Sequence, residues 1–137
     1  MGKNCKIQNS VNIYEPAVIS DGVFIGPGVT LTNDKLPRAI NNDGSRKTEA
    51  DWNASRVEIY YGASIGAGSV CVAPVKIGMW AMIGAGSVVV SNVLDYSLTF
   101  GVPAKQVGWV GKLGVKLIFN SKGEWECPIS HEIYKIS

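Results

Sequence analysis

An apolar residue recurs at every sixth position through the middle of this chain, at Ile59, Ile65, Cys71, Ile77, Ile83 and Val89. Four places after each stands a small or β-branched residue: Ala63, Ser69, Val75, Ala81, Ser87 and Val93. Glycine directly follows the apolar residue at Gly66, Gly78 and Gly84. An α-helix repeats every ~3.6 residues and an isolated strand every ~2, so neither needs a strict period of six. A solenoid of short, flat strands does. Each six-residue unit supplies one face, its apolar residue points to the axis, and glycine eases the turn to the next face.

The same rhythm begins at the N-terminus, with Ile7, Ile13, Ile19, Ile25 and Leu31 six apart and Val11, Ala17, Val23 and Val29 holding the second position. The interval from Leu31 to Ile59 is not a multiple of six, so the register is interrupted. The interrupting segment, Thr32 to Arg56, is polar and carries turn formers at Pro37, Asn41, Asn42, Asp43 and Gly44. A loop this long inside a compact domain is more often functional than idle. It reads as an excursion from one corner of the solenoid (residues 32–57), with Trp52 pinning its return. The second block of hexads ends near Ser91, and Pro103 begins a new element. The domain reading is thus a β-solenoid over 1–100 and a C-terminal extension over 101–137. Within the extension, KLIFN and EWECP read as short strands around Ser121-Lys122-Gly123.

The chain's 137 residues are enough for one domain with its own core, and its sixteen glycines suit a turn-rich solenoid. A hydrophobic content of 46% with 18% charged residues excludes a disordered chain. A formal net charge of +2, without a basic run, gives no footprint for nucleic acid. No apolar run approaches the ~20 residues of a membrane span, and Lys3 to Asn9 is too polar for a secretory signal. A cytoplasmic location is therefore expected. Cys5, Cys71 and Cys127 are odd in number and far apart, so they form no disulfide framework. Cys71, on an inward hexad position, reads as a core hydrophobe rather than a reactive thiol. Burying each inward side chain is worth roughly 1.5–3 kcal/mol before entropy is charged. A prism this short, with an uncapped N-terminal end, is marginal alone and is expected to self-associate.

The hexad pattern resembles the hexapeptide-repeat acyltransferases, which implies an all-β, left-handed parallel β-helix with three hexads per coil and a homotrimer of parallel columns. A narrower resemblance rests on FIGPGVTLTNDKLPRA (Phe24 to Ala39), GASIGAGSVCV (Gly62 to Val72), MIGAGSVV (Met82 to Val89) and GVPAKQVGWV (Gly101 to Val110). Together these look like the N-acetyltransferases that act on nucleotide-linked 3-amino sugars. Acetyl-CoA as acyl donor, no metal, and a nucleotide-linked amino sugar as acceptor are what that resemblance implies. The chemistry is attack of a neutral amine on a thioester, which needs a positioned amine and a donor for the developing oxyanion. Many hexapeptide acyltransferases place a histidine on the loop as base. The only histidine here is His131, outside the loop, so no histidine base is expected. The departing thiolate, with a thiol pKa near ~8.5, collects the proton instead.

By that resemblance Asn33 is the catalytic-site residue, orienting the sugar amine through its side-chain oxygen; the plainer alternative is that Asn33 and Asp34 only start a turn. Asp34 is a base or, more in keeping with its place, a loop brace on the substrate side. Arg38 contacts the substrate's diphosphate, braces the loop, or is simply solvated. Ala67 and Ala85 correspond to pantetheine contacts and Lys105 to the phosphate end of CoA. The runs Gly66-Ala67-Gly68 and Gly84-Ala85-Gly86 are equally good as tight corners, and both roles are compatible.

The chain departs from that family in several places. Members often carry a threonine and a lysine where Val90 and Ser91 stand. They carry further hexads upstream of GKNCKIQNSVNIYEP that help bind the nucleotide, so either a shortened natural form or a truncated gene is expected here. Some end in a zinc ribbon of the form C-x-C-G and C-P-x-C-G. Here Gly111, Leu113 and Ser130 replace three of those four cysteines. Cys127 and His131 alone do not complete a tetrahedral zinc site. A metal-free ribbon held by Leu117, Phe119, Trp125 and Tyr134 is expected. Two rivals stay open: an acetyltransferase with another small acceptor, and a non-catalytic β-helix that serves in assembly.

Overall fold

Each hexad becomes one short strand. The computed structural model describes residues 1–136, and its only helical element is a short 3-10 turn, Glu49–Asp51. The first coil is β1 (Lys6–Ile7), β2 (Asn12–Ile13) and β3 (Val18–Ile19). The second is β4 (Phe24–Ile25), β5 (Thr30–Leu31) and, after the excursion, β6 (Val57–Ile59). The third is β7 (Ser64–Ile65), β8 (Val70–Cys71) and β9 (Val75–Ile77), and the fourth opens with β10 (Met82–Ile83) and β11 (Val88–Val89). Pairing runs between coils and is parallel throughout these strands, giving three faces: β1-β4-β7-β10, β2-β5-β8-β11 and β3-β6-β9. Adjacent coils therefore stand about 4.8 Å apart, the spacing of hydrogen-bonded strands.

Register aligns the inward residues in columns. Ile7, Ile25, Ile65 and Ile83 stack on the first face, and Ile13, Leu31, Cys71 and Val89 on the second. From Ile25 to Val89 these side chains are at most 1% exposed. The second inward position is small because it lies where two faces converge. There Ser69 and Ser87 are fully buried, and both hydroxyls donate to the Gly84 carbonyl, at 3.1 and 2.6 Å. The first coil has neighbours on one side only, so Ile13 remains 37% exposed and Ile7 and Val11 are half-buried.

The column runs on past Ser91, beyond where the hexads become unreadable. Val93 bridges to Ile77 on the third face, and β12 (Ser97–Gly101) pairs in parallel with β10. Thr99 takes the inward place above Ile83 after a shorter coil than the one from Ile65 to Ile83, which hides the period. The chain then reverses into β13 (Ala104–Trp109), antiparallel to β12, and Ala104 packs on the column's core. This hairpin covers the C-terminal end, whereas no strand pairs on the outer side of the first coil among the described residues.

The tail forms a three-stranded antiparallel sheet of β14 (Ile118–Phe119), β15 (Trp125–Glu126) and β16 (Ile133–Tyr134). Leu117, Cys127 and Tyr134 form its core with Tyr96, Trp109 and Trp125 packed around them. The Tyr134 hydroxyl accepts from the Lys112 amide at 2.9 Å and donates to Glu132 at 3.0 Å. A side chain at Gly111 would meet that hydroxyl at 2.9 Å, so the phenol fills the space beside the first ribbon turn. Phe119 departs from expectation: it is 63% exposed and touches Trp125 only as a tilted ring pair, because it points off the outer face of its strand. Among the described residues no group of three or more His, Cys, Asp or Glu side chains is arranged to hold a metal, and no helix is long and apolar enough to cross a membrane.

Candidate active site

Two of the column's three corners carry the candidate residues. The corner between the first and second faces turns through left-handed residues Ser10, Gly28, Gly68 and Gly86. Ala67 and Ala85 lie one above the other on it, joined by the Gly86 amide donating to the Ala67 carbonyl at 2.8 Å. Both alanines are exposed. A Cβ added to Gly68 or Gly86 would meet nothing within 4 Å, so the corner is an open shelf of backbone. A thin chain with amide groups, such as a pantetheine arm, suits the upper part of that shelf, where Ala67-Gly68 and Ala85-Gly86 project only methyl groups.

Phe100 stands at the top of the shelf, and the sequence reading missed it. Its ring lies against Gly84, where an added Cβ would meet the ring, yet 54% of Phe100 is exposed. It occupies the place that holds glycine at Gly66 and Gly84, an equivalence that the pairing of β12 with β10 reveals and that six-step counting does not reach. Lys105 is its direct partner across the β12–β13 pair, which puts the two side chains on one face of the hairpin. An exposed aromatic face and an exposed cation thus sit side by side above Ala85.

Asn33, Asp34 and Arg38 belong to the next corner, between the second and third faces. The excursion leaves and re-enters the column there, and its neck is closed by the Ser55 amide donating to the Asn33 carbonyl at 2.8 Å. The Thr32 hydroxyl accepts from the Ala73 amide at 3.0 Å and ties the neck to the coil above. The Asn33 side-chain nitrogen donates to the Glu15 carbonyl of the coil below at 2.8 Å. That contact fixes the amide's orientation, because a flipped group would set oxygen against oxygen. The Asn33 Oδ1 is left as a free acceptor among the described residues. Asp34 is half-buried and accepts from the Leu36 amide at 3.1 Å, a loop brace in geometry. Arg38 is exposed and, among the described residues, donates only to the Pro37 carbonyl at 3.3 Å. A single column therefore brings Ala67, Ala85 and Lys105 to one edge and Asn33, Asp34 and Arg38 to another.

The Cys71 thiol is pushed up to about 12 by burial, which makes it inert at neutral pH. The Ser130 hydroxyl, followed by the amides of Ser130 and Ile129, holds the Cys127 thiol below its ordinary value, yet Cys127 is 1% exposed and away from both corners. A cavity of about 550 Å³ lies on the tail sheet against Trp125 and Ile133 and shares no residue with either corner.

The family model described as "Bacterial transferase hexapeptide (six repeats)" matches residues 1–33. The chain carries the hexapeptide repeat. Over 64 residues it is 42% identical to the dTDP-3-amino-3,6-dideoxy-alpha-D-galactopyranose 3-N-acetyltransferase of Aneurinibacillus thermoaerophilus, covering 47% of this chain and 33% of that protein. Among solved structures, the serine acetyltransferase of Neisseria gonorrhoeae superposes with a TM-score of 0.64 at 30% identity, over 79% of this chain and 38% of that one. A serine acetyltransferase in complex with CoA does so with a TM-score of 0.61 at 28% identity, over 78% and 38%. The chain spans about a third to two-fifths of the length of these relatives. The hexapeptide-repeat column is the left-handed β-helix of these acetyltransferases.

Proposed function

We propose that this hexapeptide-repeat chain is an acetyl-CoA-dependent N-acetyltransferase whose acceptor is a nucleotide-linked amino sugar. The observation that carries the proposal is the 42% identity to a dTDP-amino-sugar N-acetyltransferase. The free Oδ1 of Asn33, held in place by Glu15 below and Ser55 beside it, supports it.

In the reaction the acceptor amine donates a hydrogen bond to Asn33 Oδ1, which aims its lone pair at the thioester carbonyl carbon. The new C–N bond forms, the carbonyl oxygen becomes an oxyanion, and the C–S bond breaks as the tetrahedral carbon collapses. The departing thiolate takes the proton the amine sheds, so no strong base is required. Ala67 and Ala85 offer backbone to pantetheine, and Phe100 and Lys105 meet the nucleotide end of CoA.

Because the shelf and Asn33 stand on different edges of one column, the productive arrangement is a homotrimer in which one copy's shelf faces a neighbour's Asn33 edge. A soluble, cytoplasmic enzyme is the corresponding location.

The experiment is a thiol-release assay with acetyl-CoA and dTDP-linked 3-amino sugars, run beside titration calorimetry with CoA. Turnover of the nucleotide sugar is the expected result. The absence of CoA binding at millimolar ligand refutes acetyl transfer. The solved serine acetyltransferases favour a second reading, with a small non-nucleotide acceptor. Turnover of such an acceptor with none on nucleotide sugars selects it.

A further inference from the structure

Directly beyond Asn33 the excursion folds back on itself around a cavity of about 340 Å³. Its walls include Asp34, Lys35, Lys47, Asp51, Trp52 and Ser55. The volume lies within the range of small-molecule sites. Asp34 and Ser55 each stand one step from the neck at Asn33: Asp34 is its chain neighbour and Ser55 donates to its carbonyl. The cavity is thus contiguous with the place where the acceptor amine is held.

The charged groups in its wall are not equivalent. Asp34 is engaged by the Leu36 amide at 3.1 Å. Asp51 is engaged by the Thr48 amide at 2.8 Å, the Thr48 hydroxyl at 3.1 Å and the Asn41 side chain at 3.3 Å. These donors hold the Asp51 carboxyl below its usual range. Neither Lys35 nor Lys47 forms an ion pair among the described residues, where the three ion pairs are Arg56–Glu58, Lys76–Glu58 and His131–Glu126. Lys47 is half-buried, and its charge lies near enough to Asp51 to help hold that carboxyl down without a direct ion pair. The Trp52 indole is also half-buried and stacks on no other ring among the described residues. Two unpaired cations beside a free aromatic face match a ring joined to phosphate.

We infer that the Trp52–Lys35–Lys47 cavity is the subsite for the nucleoside diphosphate portion of the acceptor, with the ring on Trp52 and the phosphates on the two lysines. This rests on the acetyl-transfer reading for the identity of the acceptor, but not for the site itself. It also gives the excursion a task that the column does not perform: it carries the acceptor's charged end while Asn33, on the stem, holds the amine.

The test is calorimetric titration of the full chain with dTDP, thymidine and inorganic pyrophosphate, and separately with CoA. dTDP is expected to bind, with thymidine and pyrophosphate each at least about tenfold weaker, since each engages half the site. Trp52→Leu and Lys47→Gln each weaken dTDP about tenfold, the scale of one stacked ring. Trp52→Phe stays within about threefold of wild type, and CoA affinity is unchanged in all three. Added salt weakens dTDP less in Lys47→Gln than in wild type. Failure of wild type to bind dTDP overturns the inference, as does equal dTDP affinity in Trp52→Leu and Lys47→Gln. Parallel loss of CoA binding in those variants also overturns it, by showing a general disturbance. dTDP binding that follows the expected pattern in a chain that does not bind CoA supports the subsite and refutes acetyl transfer.

Discussion

Replacing Asn33 by alanine separates its two readings, because they move different observables. In the structure the side chain does two things: its nitrogen donates to the Glu15 carbonyl at 2.8 Å and its oxygen is left free. As the amine attacks, its N–H groups become ammonium-like, and a hydrogen bond to Oδ1 gains strength in the transition state. Hydrogen bonds to charged groups are worth about 1.5–3 kcal/mol, and each ~1.4 kcal/mol of barrier is a factor of ten. Asn33→Ala is therefore expected to lower kcat about 10- to 150-fold, with a smaller change in KM for the acceptor. Loss of the Glu15 contact, a neutral bond on a half-exposed neck, costs a further ~1 kcal/mol of stability in the same variant. Asn33→Asp sharpens the comparison: it keeps an acceptor oxygen but loses the donor to Glu15, so its stability falls while its orientation is no longer fixed. The assay is steady-state thiol release with acetyl-CoA saturating, beside a urea melt of each protein. A kcat within about twofold of wild type in Asn33→Ala, with the stability loss still present, refutes the catalytic role and leaves a residue that only closes the neck.

Other perturbations address the column, the shelf and the tail. Ile65→Ala, at a fully buried mid-column site, is expected to cost about 2–5 kcal/mol, whereas Ile13→Ala, 37% exposed on the first coil, costs under about 1 kcal/mol; denaturant melts at one protomer concentration decide, and equal losses show that the first coil is covered in solution. Lys105→Ala is expected to weaken CoA about tenfold by calorimetry while leaving the melt unchanged, since Lys105 is exposed on the hairpin. Native alkylation read by mass spectrometry is expected to label Cys5 and to spare Cys71, whose thiol is pushed up to about 12; rapid labelling of Cys71 at pH 8 contradicts its burial. Glu126 is held below its ordinary value by hydrogen bonds from His131 and Asn120, so its contribution is present above the unfolded carboxylate's pKa and is lost as pH falls through the folded value. Glu126→Gln is accordingly expected to flatten the acid limb of the tail's tryptophan fluorescence.

The column was legible in the chain because burial enforces it. Within each of its two blocks, the stacked residues from Ile25 to Val89 sit where six-step counting puts them, and a charged side chain at any of them would be desolvated without a partner. Beyond Ser91 the counting fails for a reason visible in the pairing: a shorter coil brings Thr99, not an aliphatic residue, over Ile83, and its hydroxyl is satisfied by Ser97 at 2.7 Å. The candidate residues could be named from sequence only where a local motif marked them. Asn33 and Lys105 are flagged by their neighbours in sequence, but nothing adjacent to Phe100 or Lys47 announces a role. Phe100 becomes visible once β12 is known to stack on β10, and Lys47 once the loop is closed by the Ser55–Asn33 contact.

The placement of Asn33 on the stem rather than the tip of the excursion has a consequence for specificity. Pairing resumes in register on the far side, Val18 opposite Glu58 and Ile19 opposite Ile59, so the inserted segment leaves the column undisturbed. Closing a loop costs only about 0.6 kcal/mol for each doubling of its length, so residues between Lys35 and Trp52 are free to change in number and kind. Asn33 is not free in that sense, since the coil below and the opposite strand of the neck both hold it. On the proposed reading, the group that positions the amine is fixed to the column by hydrogen bonds, and acceptor selection falls to the loop, whose length and sequence are least constrained. Exchanging the tip residues 40–46 for a short glycine-serine turn should then leave Asn33-dependent kcat near its original value and alter KM for the acceptor. A kcat that falls with the tip as far as it does in Asn33→Ala would show that the loop, and not the column, sets the position of the amine.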